Sequence, residues 1–395
     1  MSMRIAKRNT REDRRREHKY AASSAPFAAF ALLMCASALL VSPARGREQI
    51  VRQEAPFPAI FDPPTEADSA DPVRYEVLRG DFHMHTVHSD GTLSPADRVL
   101  EAWQYGYDVI AITDHGNFLA YEQVRSMADT LGILLIRGME TGISGNEHFV
   151  ALDFSADYEP RNPHQWAEIQ GQSQVFYRDQ LQRLSTAGAY VLYAHPHVGL
   201  REPVLWAIGQ GIIRGIEVKN DVVGSGWNTV ASHGTWWYPF AFDWAVEHGL
   251  TLFANSDVHG ARGNVEQAVT LVLARERSIA GVMEALRAGR TLASFNNMLC
   301  AHEWVLELLM ANMVDVRLNQ IDDGITFLRL QNSGPKELTA EIEGIPVGPV
   351  TLGAYQTALI GLRRKPAAVT MTWKNLYTRP TTNLTTTHIL TGPTR

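Results

Sequence analysis

The sequence predicts an α/β protein: a barrel of parallel strands covered by helices, followed by a small antiparallel β domain. Three observations lead there. Short, nearly continuous apolar runs such as Asp108-Val-Ile-Ala-Ile-Thr113 and Leu250-Thr-Leu-Phe-Ala254 alternate with helix-like segments, the pattern of strands buried on both faces. Polar residues recur just after run after run, on what would be the carboxyl-terminal rim, where barrels carry their chemistry. From Asp315 the texture changes to alternating apolar and polar positions, with turns rich in Gly, Pro, Asn and Asp.

The length of 395 residues suits one large barrel with an appendage, and 45% hydrophobic with 20% charged residues is ordinary for a globular chain. The net charge of −6 hides an asymmetry, because residues 1–44 carry +5 and leave −11 for the rest. An acidic body without basic blocks argues against nucleic acid as the main partner. The basic stretch Arg4 to Lys19, the apolar run Ala28 to Val41 and the small-x-small triplet Ser42-Pro43-Ala44 predict a cleaved signal peptide over 1–44. The alternative is an uncleaved anchor, for which the run is short. Met34 fits a lipoprotein box poorly, and the long basic segment points to a start further downstream. Loss of Cys35 with the signal leaves Cys300 alone, so no intrachain disulfide forms. The expected location is the periplasm or outside the cell.

Residues 45–74, rich in Pro, Asp and Ala, read as an extended leader, and the barrel is assigned to 75–297. A strand runs into His83. Ser94-Pro95-Ala-Asp97 opens a helix by capping, and Val99, Leu100, Trp103 and Tyr107 form its buried face. Strands end at Asp114-His115, at Glu140 after the run Leu131 to Ile136, and at His195-Pro196-His197 after Tyr190 to Ala194. Glu147 to Asp153 is a short strand and roughly 164–188 a helix. Gly215 to Val218 ends at Lys219, Tyr238 to His248 is a helix closed by Gly249, and Leu250 to Ala254 ends at Asp257 and His259. A helix from Ile279 to Ala288 and a strand from Arg290 to Phe295 finish the barrel. Residues 298–313 are a connecting helix and 314–395 the C-terminal β domain, whose sequon Asn383-Leu-Thr385 carries little weight.

The stretch Asp81-Phe-His-Met-His-Thr-Val-His-Ser-Asp-Gly91 organises the rest. His83 and His85, two apart, share one face of a strand, and Asp90 adds a hard oxygen. Gathering the strand ends gives nine groups: His83, His85, Asp90, His115, Glu140, His148, His195, Asp257 and His259. Any one alone reads as a hydrogen-bonded rim residue. Nine titratable groups together are costly to bury without metal, and imidazole with carboxylate suits two or three Zn, Mn or Fe ions.

These motifs, His83-x-His85, Thr113-Asp-His115, Glu140, Ala194-His-Pro196 and Ser256-Asp-x-His259 in this order, resemble the PHP (polymerase and histidinol phosphatase) superfamily over about residues 76–297. Gly215-Ile-Glu-Val-x-Asn-Asp221, Asn255-Ser-Asp-x-His-Gly260 and Ala288-Gly-Arg-Thr291 are similar to Sb-PDE-type phosphodiesterases within it. The resemblance implies a distorted (β/α)7 barrel with a trinuclear centre. It places His83, His85 and Asp257 on one metal, with Glu140 bridging to a second completed by His148 and His195. Asp90, His115 and His259 would hold the third. The sequence departs from the pattern at His88, His197 and Lys219, positions that bear on substrate fit more than on metal.

Phosphodiester hydrolysis needs a nucleophile at neutral pH and neutralised phosphoryl oxygens, and metals about 3.5–4 Å apart supply both through a bound hydroxide. Asp257 is assigned to orient that hydroxide. Arg262 is the first candidate to hold the anion, ahead of Lys219 and Arg161. His197 and His233 are candidate acids, and Trp227, Trp236, Trp237 and Tyr238 either line a pocket or cover the barrel mouth. The leading expectation is an exported phosphodiesterase turning small organic diesters into monoesters, with neither nucleic acid nor a membrane as lasting partner. Alternatives are a phosphomonoesterase, a carboxylester or carbamate hydrolase, or a non-catalytic metal-binding PHP domain. A proofreading nuclease is disfavoured by the signal and the acidic body.

Overall fold

The computed structural model describes residues 52–53, 56–62, 72–143, 147–160, 174–222, 224–225, 228–263, 268–320 and 325–390. The expected signal segment, Arg161 and Trp227 lie outside the described residues. Strand β1 (Ile60–Asp62) pairs antiparallel with β2 (Val73–Asp81), so the end of the expected leader is bound to the barrel's first strand.

The barrel follows in order. Helix α1 (Pro95–Gln104) and β3 (Val109–Ile112) come first, then α2 (Leu119–Leu131), β4 (Leu134–Ile143) and β5 (Glu147–Leu152). Next are α3 (Gln174–Thr186), β6 (Tyr190–Ala194), α4 (Glu202–Gly209) and β7 (Ile213–Asn220). A small hairpin, β8 (Val230–Ser232) and β9 (Thr235–Trp237), precedes α5 (Pro239–His248) and β10 (Thr251–Asn255). Strand β11 (Val269–Ala274), α6 (Ile279–Arg287) and β12 (Thr291–Phe295) complete it. The caps form where the sequence places them. Ser94 Oγ accepts from the Asp97 amide at 3.2 Å, and Gly249 takes the left-handed φ of 65° that ends α5. The apolar run read as a strand from Leu131 begins instead as the end of α2, because left-handed Gly132 stops that helix.

The sheet runs β10-β7-β6-β5-β4-β3-β2-β11-β12. Pairs β2–β3, β3–β4, β6–β7 and β7–β10 are parallel, as expected, but β5 lies antiparallel between β4 and β6, and β11 antiparallel beside β2. A hairpin too short for a crossover helix forces the reversal of β5. His148 consequently reaches the rim from the start of its strand, opposite Gly142. The circuit closes where β10 ends. The Asp257 amide donates to the His83 carbonyl at 2.8 Å, and Met84 and Val258 form a parallel bridge.

Inward-facing Phe82, Val109, Ala111, Ile136, Val150, Leu192 and Phe253 pack together with Val282, Met283 and Leu286 of α6. This helix plugs the end of the barrel away from the polar rim. Apolar packing thus fills the floor and leaves only the rim for polar chemistry.

Past the barrel, residues 298–300, assigned on sequence to the connecting helix, form β13 (Met298–Cys300), and the helix proper is α7 (Glu303–Met313). The C-terminal β region makes two sheets. One is β14 (Val314–Gln320), β15 (Thr326–Asn332) and β18 (Thr357–Leu362). The other comprises β16 (Leu338–Ile342), β17 (Val350–Leu352), β19 (Ala368–Arg379) and β20 (Thr382–Ile389), and β19 pairs with β13 to extend the barrel's own sheet. Among the described residues no helix is long and apolar enough to cross a membrane.

Candidate metal centre

The structure brings all nine sequence-predicted ligands into three overlapping groups. His83, His85, Glu140 and Asp257 form one, Glu140, His148 and His195 a second, and His85, Asp90, His115 and His259 a third. Glu140 sits between them. Its Oε2 lies 3.2 Å from His83 Nε2, 3.2 Å from His85 Nε2 and 3.0 Å from His115 Nδ1. Its Oε1 lies 2.7 Å from His148 Nδ1 and 3.1 Å from His195 Nε2. Asp257 Oδ1 stands 3.3 Å from His83 Nε2 and 3.0 Å from His85 Nε2. Exposed Asp90 faces His115 and His259, with Oδ2 3.3 Å from each Nε2.

The residues fit divalent ions. His83 Nε2, His85 Nε2, Glu140 Oε2 and Asp257 Oδ1 are buried and make no hydrogen bond, although each nitrogen lies within 3.3 Å of both oxygens. Buried polar atoms are ordinarily satisfied, and orphaned lone pairs converging from several strands are the arrangement a cation completes. Backbone geometry points the same way. Asp257 (φ 52°) and His195 (φ 22°) both hold positive φ, a conformation costly for residues with a Cβ and common where side chains must be aimed.

Tautomers are set from behind. His85 Nδ1 lies 3.3 Å from Ser89 Oγ, which donates to Asp114 at 2.7 Å, and His259 Nδ1 donates to the Asp257 carbonyl at 2.7 Å. Each turns its Nε2 toward the ligand group. Burial alone would lower the imidazoles, but Asp257 and Glu140 outweigh it, raising His83 well above its ordinary value and His85 up to about 9. Glu140, although buried, is held well below the carboxylate range by His83, His148 and His115.

Several expectations change. Arg262 does not face the centre. Its side chain is fully buried, donating to Asp81, to Tyr107 Oη at 2.7 Å and to Ser256 Oγ at 3.0 Å, beside Glu101. Its charge is spent locking the end of β10 to β2 and α1, so it cannot hold a phosphate. Lys219 likewise bonds Asp221 at 2.8 Å. His197 is placed at the rim, its ring stacked 5.3 Å from that of His195. Burial, with His195 and His148 nearby, brings it down to about 4, which works against the general-acid role at neutral pH. His233 pairs instead with Tyr377 Oη at 2.8 Å, and His88 donates to Gln123 at 2.9 Å, away from the centre. Trp237 packs on Phe295, covering the barrel, whereas Trp236 is exposed. The Tyr238 hydroxyl is buried without a hydrogen bond, and burial, with Glu217 and Asp257 nearby, holds it well above the phenol range.

Sequence reasoning missed the groups that hold the ligands. Buried Arg98 on α1 donates to the His85 carbonyl at 3.1 Å and the Gly260 carbonyl at 3.0 Å. Asp81 accepts from Ser256, and Glu217 accepts from His83. Asp81 and Glu217 stood inside quoted motifs, the only signal available; Arg98 carried none.

A barrel with an apolar floor and a rim of nine converging metal-type ligands is of the metal-dependent hydrolase kind. The family model for the PHP domain matches residues 81–208 and that for the PHP-associated region residues 237–291. The chain therefore contains a PHP domain followed by a PHP-associated region. It is 38% identical over 77 residues to a 5'-3' exoribonuclease of Haemophilus influenzae, which is 19% of this chain and 28% of that protein. It is 49% identical over 47 residues to an uncharacterized protein of Methanocaldococcus jannaschii, 12% of this chain and 22% of that one. The matches thus span less than a third of those relatives. A Bacteroides vulgatus two-domain protein, described as containing a predicted PHP-like metal-dependent phosphoesterase, shares the fold with a TM-score of 0.69 at 24% identity, covering 86% of this chain and 99% of that one.

Proposed function

We propose that the protein is an exported metal-dependent phosphodiesterase acting on small organic phosphodiesters. The observation that carries this reading is the Glu140-centred arrangement, three overlapping ligand groups sharing His85 and Glu140 at the barrel's rim. His83, His85, Glu140 and Asp257 would hold one ion, Glu140, His148 and His195 a second, and His85, Asp90, His115 and His259 a third. Divalent ions, Zn, Mn or Fe, would there supply Lewis-acid chemistry, acidifying water and offsetting the charge of phosphoryl oxygens.

The chain's own residues do the positioning. Asp257, aimed by its left-handed backbone and by a 3.1 Å bond from Asn220, presents an acceptor to the attacking water. Neutral His197 on the rim offers a further acceptor beside His195. With Arg262 and Lys219 committed elsewhere among the described residues, the centre itself would offset the phosphate's charge.

A nuclease acting on the same bond in a polymer is the second reading, favoured by the matched stretch of the Haemophilus influenzae exoribonuclease. The test is turnover of bis(p-nitrophenyl) phosphate, p-nitrophenyl phosphate, a carboxylester and a 5'-phosphorylated oligoribonucleotide by the purified, metal-loaded chain. The diester is expected to be fastest. Fast monoester or carboxylester turnover without diester turnover sinks the leading reading, and preference for the oligonucleotide moves the substrate to nucleic acid. Export is checked by N-terminal sequencing of protein from the periplasm, where a start near residue 45 is expected.

A further inference from the structure

We infer that Glu217 is a positioning residue that couples two of the three ligand groups, an inference that rests on the metal-centre reading above. Glu217 is not among the nine ligands. It lies on β7, fully buried, behind the centre. Its two oxygens accept four hydrogen bonds. Oε1 takes His83 Nδ1 at 2.9 Å and Asn255 Nδ2 at 2.9 Å, while Oε2 takes the His195 amide at 2.7 Å and Asn220 Nδ2 at 2.9 Å. Only an ionised carboxylate has the acceptor capacity for four donors and no proton of its own to place.

Each bond fixes something a ligand needs. Accepting from Nδ1 commits His83 to the tautomer whose Nε2 lone pair faces Glu140 and Asp257. Accepting the His195 amide anchors that residue's backbone in its positive φ, which decides where the ring points. Asn220, held by the same oxygen, also donates to Asp257 Oδ2 at 3.1 Å, leaving Oδ1 toward the histidines. One carboxylate therefore sets ligands arriving from β2, from β6 and just past β10. The third group is held differently, His85 through Ser89 and Asp114, and His259 through the Asp257 carbonyl.

The prediction is selective. Glu217→Gln keeps shape and volume but leaves one acceptor oxygen for four donors; the His195 amide cannot become an acceptor, and the His83 ring can do so only in the tautomer that protonates Nε2 and blocks it as a ligand. Zinc affinity in the full chain is measured by competition with a chromophoric chelator, alongside zinc stoichiometry and the far-ultraviolet circular dichroism of the ion-free protein. Two of three sites are expected to weaken together by about 10–100-fold, the third keeping its affinity. Glu217→Asp retains the charge with a shorter reach and covers the case of a misfolded Gln variant; a smaller loss confined to the same two sites is expected. A folded variant that binds zinc like the wild type overturns the inference, as does equal weakening of all three sites. A wild-type chain that binds no zinc overturns the metal-centre reading, and this inference with it.

Discussion

His85 shows how strongly one residue's chemistry depends on its surroundings. Asp257 and Glu140 overcome the burial that would lower it and push it up to about 9 in the ion-free protein. A group whose folded pKa exceeds its unfolded value of about 6.5 contributes stability below that value and loses it as pH rises through 9. The Tm of chelator-treated protein should therefore fall between about pH 6.5 and 9. Zinc must displace the same proton, so zinc affinity should climb over that window and level off above it. Flat profiles of both quantities would show that the carboxylates do not act on His85 in this way. Arg262 teaches the opposite lesson. It was legible as a cation beside His259, but its sequence position says nothing of Asp81, which lies 181 residues away. Arg262→Ala takes from the buried Asp81 carboxylate its cation, while Glu101 keeps Arg98, and a loss of about 3–5 kcal/mol in stability by urea denaturation is expected. A stable variant with only a raised KM would restore the phosphate-binding role.

At the scale of elements, the loop after β2 carries His85 and Asp90 of the third ligand group and has no slack. A Cβ at Gly91 would meet the His85 carbonyl carbon at 2.6 Å and its oxygen at 2.7 Å. Backbone cannot yield as a flexible side chain can, so Gly91→Ala should displace the loop and with it Asp90. Loss of one bound zinc with the other two retained is the expected result by elemental analysis. Full zinc content in that variant would mean the loop does not place Asp90. The helices and their caps were readable because Ser94, Pro95 and Gly249 act within a few residues of themselves. The direction of β5 was not. An apolar strand looks alike in parallel and antiparallel company, and only the pairing of Gly142 with His148 reveals the reversal.

Across the molecule, the barrel and the C-terminal strands are continuous. Leu299 pairs with Leu376, and a single apolar cluster joins Ile110, Leu292, Leu306, Leu328 and Trp373. Removing residues 314–395 would bare that cluster. The truncated barrel is expected to aggregate or lose cooperative thermal unfolding, whereas a soluble fragment with an unchanged Tm would show that the barrel stands alone.

The sequence by itself determined the candidate ligand types, their order and their place at strand ends for all but Glu140, inside β4, and His148, at the start of β5, because metal coordination constrains residue chemistry at short spacings such as His83-x-His85. It also determined the alternation that builds the barrel. The tertiary structure alone decided which residues hold those ligands in place. Glu217 reaches His83 across 134 residues and Arg98 reaches Gly260 across 162. A buried ion pair or hydrogen bond needs only proximity, and proximity between distant segments is fixed by the fold's closure of β10 upon β2.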